Sequence, residues 1–212
     1  MSTPNFLRSK LLKSTSSNND FLQTLYGVEQ RTYFTKSKGN LYEFYLTGEI
    51  TTASDYIDWF DCIRNASEAD TIRIYINSPG GDLYTAIQFL RVMSESQAEI
   101  ICSVEGACMS AATMIFLHGD IHEVTPHSTY MFHDYSSGVF GKGGEQYDQI
   151  QFERAWSERF LKEVYANFLT HEEIHSMLHN KDIWMTSDEV VARLNKLAKA
   201  QQQALDAESQ ED

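Results

Sequence analysis

Residues 71–82 read TIRIYINSPGGD, and this stretch decides the fold. Its β-branched run TIRIYI predicts a strand, and the turn residues NSPGGD end that strand. Apolar residues then recur at helical spacing over 83–96, which predicts a helix. Paired glycines let a backbone approach a ligand closely and direct N–H groups at it, as an oxyanion hole requires. For Gly80–Gly81 taken alone, an ordinary tight turn is the more common interpretation.

Strands continue to alternate with helices on both sides of this unit, which predicts an α/β protein. Further strands are predicted at 41–47, at 98–104 with Gly106 as its end, at 129–133 and over IWMT (183–186). Helices are predicted at 51–66, 110–118, 145–169, 171–179 and from Ser187 onward. The helix over 145–169 would be roughly 37 Å long. Because that is long for one compact domain, we expect it to pack against another subunit.

The composition narrows the classes of partner. The 212 residues carry a formal net charge of −13, which disfavours nucleic acid or an anionic membrane as the main partner. The longest apolar stretch, 108–117, is about half a membrane span. Three cysteines without metal-like spacing favour a reducing compartment. We therefore expect a cytoplasmic protein, with an organelle matrix as the alternative if the basic, serine-rich N-terminus is a transit segment.

Two more stretches are candidates for chemistry. In GACMSAATM (106–114), Ser110 lies near the start of a helix of small residues, where free N–H groups and the helix dipole favour a nucleophile. Close helix packing is the alternative reading of that segment. In MFH (131–133), a histidine closes an apolar strand. Asp134 is a poor partner for His133 because successive strand side chains point to opposite faces. Asp182, before another extended segment, is the better candidate.

The order of these motifs resembles the Clp protease proteolytic subunit family over about Gly48 to Leu194. The resemblance rests on INSPGG, on G-x-x-x-S at 106–110, on S-x-x-M-x-H at 128–133 and on D-x-x-x-[ST]-x-x-E at 182–189. It implies a ClpP/crotonase-like α/β fold of repeated β-β-α units with a protruding long-helix handle. It also implies a serine endopeptidase. The residues that the resemblance assigns are the triad Ser110, His133 and Asp182 and the oxyanion donors Gly81 and Ala111.

The same resemblance implies an assembly. We expect a homo-oligomer of two stacked heptameric rings that cleaves protein substrates delivered by an AAA+ unfoldase. ATP would be used by that partner, so we expect no cofactor and no metal in this chain. The expected organisation is a mobile arm at 1–30, a peptidase domain at 31–198 and a mobile acidic tail at 199–212. Two features depart from the family's usual pattern, namely Asp-Tyr after His133 and the glycine-rich loop 136–144. These departures concern the shape of the substrate groove and the contacts between rings, not the triad.

Other readings remain. HEEIH (171–175) matches the H-E-x-x-H pattern of zinc peptidases, with His171 and His175 as ligands and Glu172 as base. However, THEE (170–173) is also a capping box, and no third ligand follows at the metzincin spacing. The further alternatives are a crotonase-like acyl-CoA enzyme, a Ser-Lys peptidase of similar fold and a catalytically inactive structural subunit.

Overall fold

A six-stranded sheet organises residues 39–208, the part of the chain that the computed structural model describes. The strands are β1 (Leu41–Thr47), β2 (Thr71–Ser78), β3 (Glu99–Met109), β4 (Ile121–Val124), β5 (Thr129–Phe132) and β6 (Ile183–Thr186). The helices are α1 (Ile57–Asn65, after the 3-10 turn Ala53–Tyr56), α2 (Leu83–Glu95), α3 (Ala111–Leu117), α4 (Gly143–Tyr165), α5 (His171–Met177) and α6 (Ser187–Glu208). The α/β class predicted from the sequence is confirmed. The arm predicted for residues 1–30 lies outside the described residues.

The strand order brings three strand ends to one edge of the sheet. The order is β1-β2-β3-β5-β6, and β4 pairs with the first half of β3. All pairs are parallel except that of β5 with β6. The carboxyl ends of β2, β3 and β5 therefore lie side by side, as is typical of ligand sites in parallel sheets. Gly80–Gly81, Ser110 and His133 follow these three ends directly.

The core lies between the sheet and helices α1, α2 and α3. Alternate residues of β2 are fully buried, namely Ile72, Ile74 and Ile76. Phe60 of α1 and Phe89 of α2 pack edge-on against each other, with ring centroids 4.8 Å apart. Each such buried side chain contributes about 1.5–3 kcal/mol of transfer free energy. This packing makes the strand ends a rigid base for the turns that follow them.

The prediction that Gly106 ends the third strand is wrong, because β3 continues to Met109. The ladder between β2 and β3 shifts register after Ile76. The side chain of Asn77 occupies the interruption, where its Oδ1 accepts a hydrogen bond from the Ala107 N–H at 3.0 Å. A Cβ on Gly106 would lie 2.7 Å from that oxygen. The glycine therefore makes room for Asn77, and the continued strand delivers the chain to Ser110.

The later helices agree with the sequence in type and differ at their ends. Helix α4 has 23 residues, about 34 Å at the usual rise. Helix α5 carries the predicted capping box, since Thr170 Oγ1 accepts from the Glu173 N–H at 3.2 Å and the Thr170 N–H donates to the Glu173 carboxylate at 2.8 Å. Helix α6 continues to Glu208, into the segment 199–212 that the sequence predicts to be a tail.

Strand β4 was not predicted from the sequence. Among the described residues, no helix combines the length and the apolar character needed to cross a membrane.

Candidate active site

Ser110 occupies a strained turn between β3 and α3. Its backbone has φ 54° and ψ −129°, a conformation that residues other than glycine rarely adopt and that costs of order 1–3 kcal/mol. The Ser110 N–H donates to the Met131 carbonyl at 2.8 Å, which ties the turn to β5. The side chain is half-buried and stands at the first turn of α3. A strand-to-helix turn of this kind presents a nucleophile without the G-x-S-x-G sequence of α/β-hydrolases.

A buried chain of hydroxyl groups holds the carbonyl of Ser110. The carbonyl accepts from the Thr113 N–H at 2.9 Å and from Thr113 Oγ1 at 2.6 Å. Because that hydroxyl proton is committed, the Tyr165 hydroxyl donates to Thr113 Oγ1, at 2.8 Å. Both side chains are fully buried, and burial raises the pKa of Tyr165, which keeps its proton in place. The end of α4 is thus linked to the backbone of Ser110.

His133 lies beside Ser110. A hydrogen bond of 2.6 Å joins His133 Nε2 to Ser110 Oγ. In the tautomer with the proton on Nδ1, the serine hydroxyl donates to Nε2. This is the contact between nucleophile and general base that acyl-transfer sites require. His133 Nδ1 has no hydrogen-bond partner within residues 39–208.

Asp182 stands apart from this pair. Its side chain is exposed, and across the described ranges it makes no hydrogen bond or ion pair with His133. Phe132 is opposite Ile183 at the end of the antiparallel β5–β6 ladder. Asp182 is therefore the residue opposite His133 one register step further on.

The Gly80–Gly81 turn packs directly against Ser110. Gly80 has φ 95° and Gly81 has φ 149°, and a Cβ on Gly80 would lie 2.6 Å from the Ser110 Cβ. The turn is fixed by Ile50, whose N–H donates to the Gly80 carbonyl and whose carbonyl accepts from the residue after Gly81, both at 2.8 Å. Neither the Gly81 N–H nor the Ala111 N–H donates a hydrogen bond within the part of the chain that the structure describes. Two unpaired amides thus flank the serine.

These groups line one groove of about 490 Å³. Ser110, His133, Gly81 and Ala111 all border it, whereas Asp182 does not. One wall is aromatic and was not foreseen from the sequence: the rings of Tyr84 and Trp156 stack with centroids 5.8 Å apart. The lining also includes four acidic residues that were not foreseen from the sequence, Glu49, Asp82, Asp134 and Glu153. No local signal marks them, because they come from four separate segments.

A second cavity, of about 540 Å³, lies on the other side of Asp134. Its lining includes His171, His175 and His179 together with Arg154. The rings of His175 and His179 stack with centroids 4.2 Å apart, and a 2.7 Å hydrogen bond joins His179 Nδ1 to the His175 carbonyl. Over residues 39–208, no three His, Cys, Asp or Glu side chains come together in a way that could hold a metal ion.

Known proteins share the segment that carries these residues. The sequence model of the Clp protease family matches residues 44–193. An ATP-dependent Clp protease proteolytic subunit of Bacteroides thetaiotaomicron is 28% identical over 126 residues, covering 56% of this chain and 54% of that protein. Subunit 1 of the same protease from Salinibacter ruber is 25% identical over 131 residues, covering 60% and 55%. The chain spans about half the length of the curated relatives that it matches. Since the family match runs from β1 into α6 and includes every turn of the groove, this chain belongs to the Clp protease family.

Proposed function

We propose that this chain is a serine endopeptidase, the proteolytic subunit of an ATP-dependent Clp-type protease. The observation that carries the proposal is the 2.6 Å contact between Ser110 Oγ and His133 Nε2 in a groove bordered by two unpaired amides. The family membership supports it, and relatives named ATP-dependent Clp protease proteolytic subunit agree with it. The proposed catalytic residues are Ser110, His133 and Asp182.

The proposed reaction proceeds through an acyl-enzyme. His133 Nε2 takes the proton of Ser110 as Oγ attacks the carbonyl carbon of the scissile peptide bond. The N–H groups of Gly81 and Ala111 stabilise the negative oxygen that forms. His133 then gives the proton to the leaving amine as the C–N bond breaks. A water molecule, deprotonated by His133, attacks the ester and releases the acid, which restores Ser110. Asp182 fixes the imidazole tautomer and stabilises its charged form.

The proposed working form is a homo-oligomer of two stacked heptameric rings served by an AAA+ unfoldase, which uses the ATP. Exposed apolar side chains on α4 support an oligomer: Tyr147 and Phe152 are 64% and 68% exposed. When exposed apolar side chains form a contiguous patch, that patch often marks a contact with another protein. The expectation of a cytoplasmic location remains a prediction.

A fluorophosphonate probe tests the proposal on the intact chain. We expect the probe to label Ser110, as mapped by peptide mass spectrometry, and hydrolysis of short peptides to stop in the folded Ser110→Ala variant. Turnover that survives in Ser110→Ala would exclude the assignment of the nucleophile.

One observation favours a second candidate, a catalytically inactive structural subunit. The carboxylate of Asp182 is not bonded to His133 in the single chain, so the proposed triad is incomplete there. The same probe decides between the two functions. An inactive subunit would remain unlabelled and would hydrolyse no peptide at any protein concentration, including in the assembled state.

A further inference from the structure

The charged lining of the groove has one sign. The acidic residues that border it are Glu49, Asp82, Asp134 and Glu153, and no described lysine or arginine borders it. The proposal of a peptide site rests on the Ser110–His133 pair and the two unpaired amides, independently of these carboxylates. The carboxylates bear on which peptide it prefers.

Two of the four carboxylates are already committed. Asp82 caps α2 by accepting from the Thr85 N–H at 2.7 Å. Glu153 accepts from Ser137 Oγ and from the Gln149 amide, each at 2.7 Å. These hydrogen bonds lower the pKa of Glu153 and keep it ionised. Both groups contribute negative potential to the groove without being free to bind a ligand through all their oxygens.

Asp134 and Glu49 are the available acceptors. Asp134 Oδ1 accepts from the Tyr135 N–H at 2.8 Å, while Oδ2 makes no hydrogen bond within residues 39–208. Burial raises the pKa of Asp134, and the hydrogen bond from the Tyr135 N–H together with attraction to His133 and Arg154 partly offsets this effect. Neither His133 nor Arg154 forms an ion pair with Asp134 among the described residues, and Arg154 lines the neighbouring cavity. Glu49 is exposed beside the Gly81 turn and likewise makes no hydrogen bond or ion pair across the described residues. A partly buried carboxylate without a paired cation gains from a cationic ligand, which offsets its lost hydration.

The aromatic wall suits the same ligand. Tyr84 is 65% exposed and stacks on Trp156, which in turn stacks on Phe160 at 5.5 Å. The methylene stems of lysine and arginine pack on such surfaces, and their charged ends are attracted to ring faces. Arginine also stacks through its planar guanidinium.

We propose that this groove selects peptides with a lysine or arginine side chain next to the scissile bond, and that Asp134 is the main determinant of that preference. The inference rests on the proposed peptidase function. A charge-assisted hydrogen bond in a partly desolvated groove corresponds to about ten- to a hundredfold in kcat/KM. Asp134 thus acts by binding substrate, next in sequence to the proposed general base.

Internally quenched peptides test the proposal with the full chain. Each peptide carries a single arginine, placed just before the expected scissile bond in one series and just after it in another. The matched control peptide carries citrulline, the neutral isostere, at the same position. We expect the arginine peptide to be cleaved at least about tenfold faster in kcat/KM, beside the arginine as mapped by mass spectrometry. Raising the ionic strength should reduce this ratio, because salt screens the attraction.

Asp134→Asn provides the matched variant, since its amide oxygen still accepts from the Tyr135 N–H. In this variant we expect the arginine-to-citrulline ratio to fall to about one. Glu68→Gln removes an exposed carboxylate outside the groove and should keep the wild-type ratio. Because each ratio is measured within one preparation, it does not depend on the fraction that folds.

The possible outcomes distinguish a failure of the proposed specificity from a failure of the proposed peptidase function. Equal cleavage of arginine and citrulline peptides by wild-type protein that the fluorophosphonate probe labels would overturn the specificity alone. A wild-type ratio in Asp134→Asn would overturn the role of Asp134. No labelling and no cleavage of any peptide would overturn the proposed function and this inference with it.

Discussion

The β5–β6 ladder ends at the pair Phe132 and Ile183, so His133 and Asp182 hold the next opposite register positions without being paired. Opposite residues of an antiparallel pair share a face of the sheet, with Cβ atoms about 4.5–5.5 Å apart when the ladder is formed. One more pair would therefore bring the Asp182 carboxylate beside His133 Nδ1. In the single chain the ladder stops short, and Asp182 remains exposed. A contact that extends β6 by one residue would complete the proposed triad.

The first prediction concerns this acid. Asp182→Asn should lower kcat for peptide hydrolysis by about 10⁴-fold in the assembled protein, because an amide favours the wrong imidazole tautomer. Steady-state kinetics would measure the change. Asp188→Asn, which alters an exposed acid in the first turn of α6, should retain full activity. An Asp182→Asn enzyme with wild-type kcat would remove Asp182 from the triad.

The second prediction concerns the hydroxyl chain behind Ser110. Tyr165→Phe should cost about 1 kcal/mol of stability, the net value of one buried hydrogen bond, and should slow fluorophosphonate labelling several-fold. The reason is that Thr113 loses the donor that fixes its hydroxyl against the Ser110 carbonyl. Thermal unfolding and labelling rates would measure the two effects.

Tyr130→Phe is the matched control for that experiment. It removes another buried hydroxyl, 3.3 Å from Ser128 Oγ, which makes no hydrogen bond to Ser110 or Thr113 within the described residues. We expect a similar change in stability and an unchanged labelling rate. If both variants slowed labelling equally, Tyr165 would act only through general stability.

The elements themselves were largely foreseen from periodicity, because hydrophobic spacing reports local geometry directly. The pairing of residues that are distant in the sequence was not foreseen. Gly106 looked like a strand end because nothing nearby reveals that the side chain of Asn77 would fill the space beside it. The short strand β4 is half-polar and depends on pairing with β3. Within the site, the contact of Ser110 with His133 agrees with the predicted order, whereas Tyr165 lies 52 residues from its partner Thr113.

The third prediction is a pH dependence of stability. Burial lowers the pKa of His122 to about 4, and neither ring nitrogen makes a hydrogen bond of normal geometry within residues 39–208. The unfolded state, with a pKa near 6.5, binds the proton more readily, so stability should fall as pH drops from about 6.5 to 4, by up to about 3 kcal/mol. His118, whose pKa burial also lowers, acts in the same direction.

Chemical denaturation of His122→Leu across that range would isolate the contribution of His122. In this variant the free energy of unfolding should fall less steeply as pH drops from about 6.5 to 4 than in the wild type. The remaining fall should include the contribution of His118. His171→Gln, at an exposed histidine, should follow the wild type. A His122→Leu curve parallel to the wild type would show that His122 does not destabilise the acid form.

The fourth prediction concerns metal. His171 is exposed on a capped helix, and the ring of His175 stacks on that of His179. Among the described residues, no group of three His, Cys, Asp or Glu side chains is placed to hold a metal ion. Chelators should therefore leave peptidase activity within about twofold of its starting value, and so should the double change His171→Ala with His175→Ala. Elemental analysis accompanies the assay. Stoichiometric zinc, with activity lost on its removal, would restore the zinc-peptidase interpretation of HEEIH.

The last prediction concerns assembly through α4. Within this helix Trp156 and Phe160 stack on each other, and Trp156 also stacks on Tyr84 in the wall of the groove. Changing Trp156 would disturb substrate binding directly. The large apolar residues of α4 that are exposed are Tyr147, Ile150 and Phe152.

Ile150→Glu with Phe152→Glu should therefore yield single rings or smaller species, because two charges would have to be buried at the contact. Peptidase activity should decrease as assembly is lost. Phe152 directly precedes a carboxylate of the groove, and Asp182 has no partner within residues 39–208 of the single chain. Gln151→Glu adds a charge on the same turn without removing an apolar side chain, and should assemble normally. Native mass spectrometry and peptide hydrolysis on the same samples would report both properties. A double variant that is fully active as a monomer or dimer would contradict this prediction. It would show that catalysis does not require assembly and that Asp182 is positioned without contacts from another subunit.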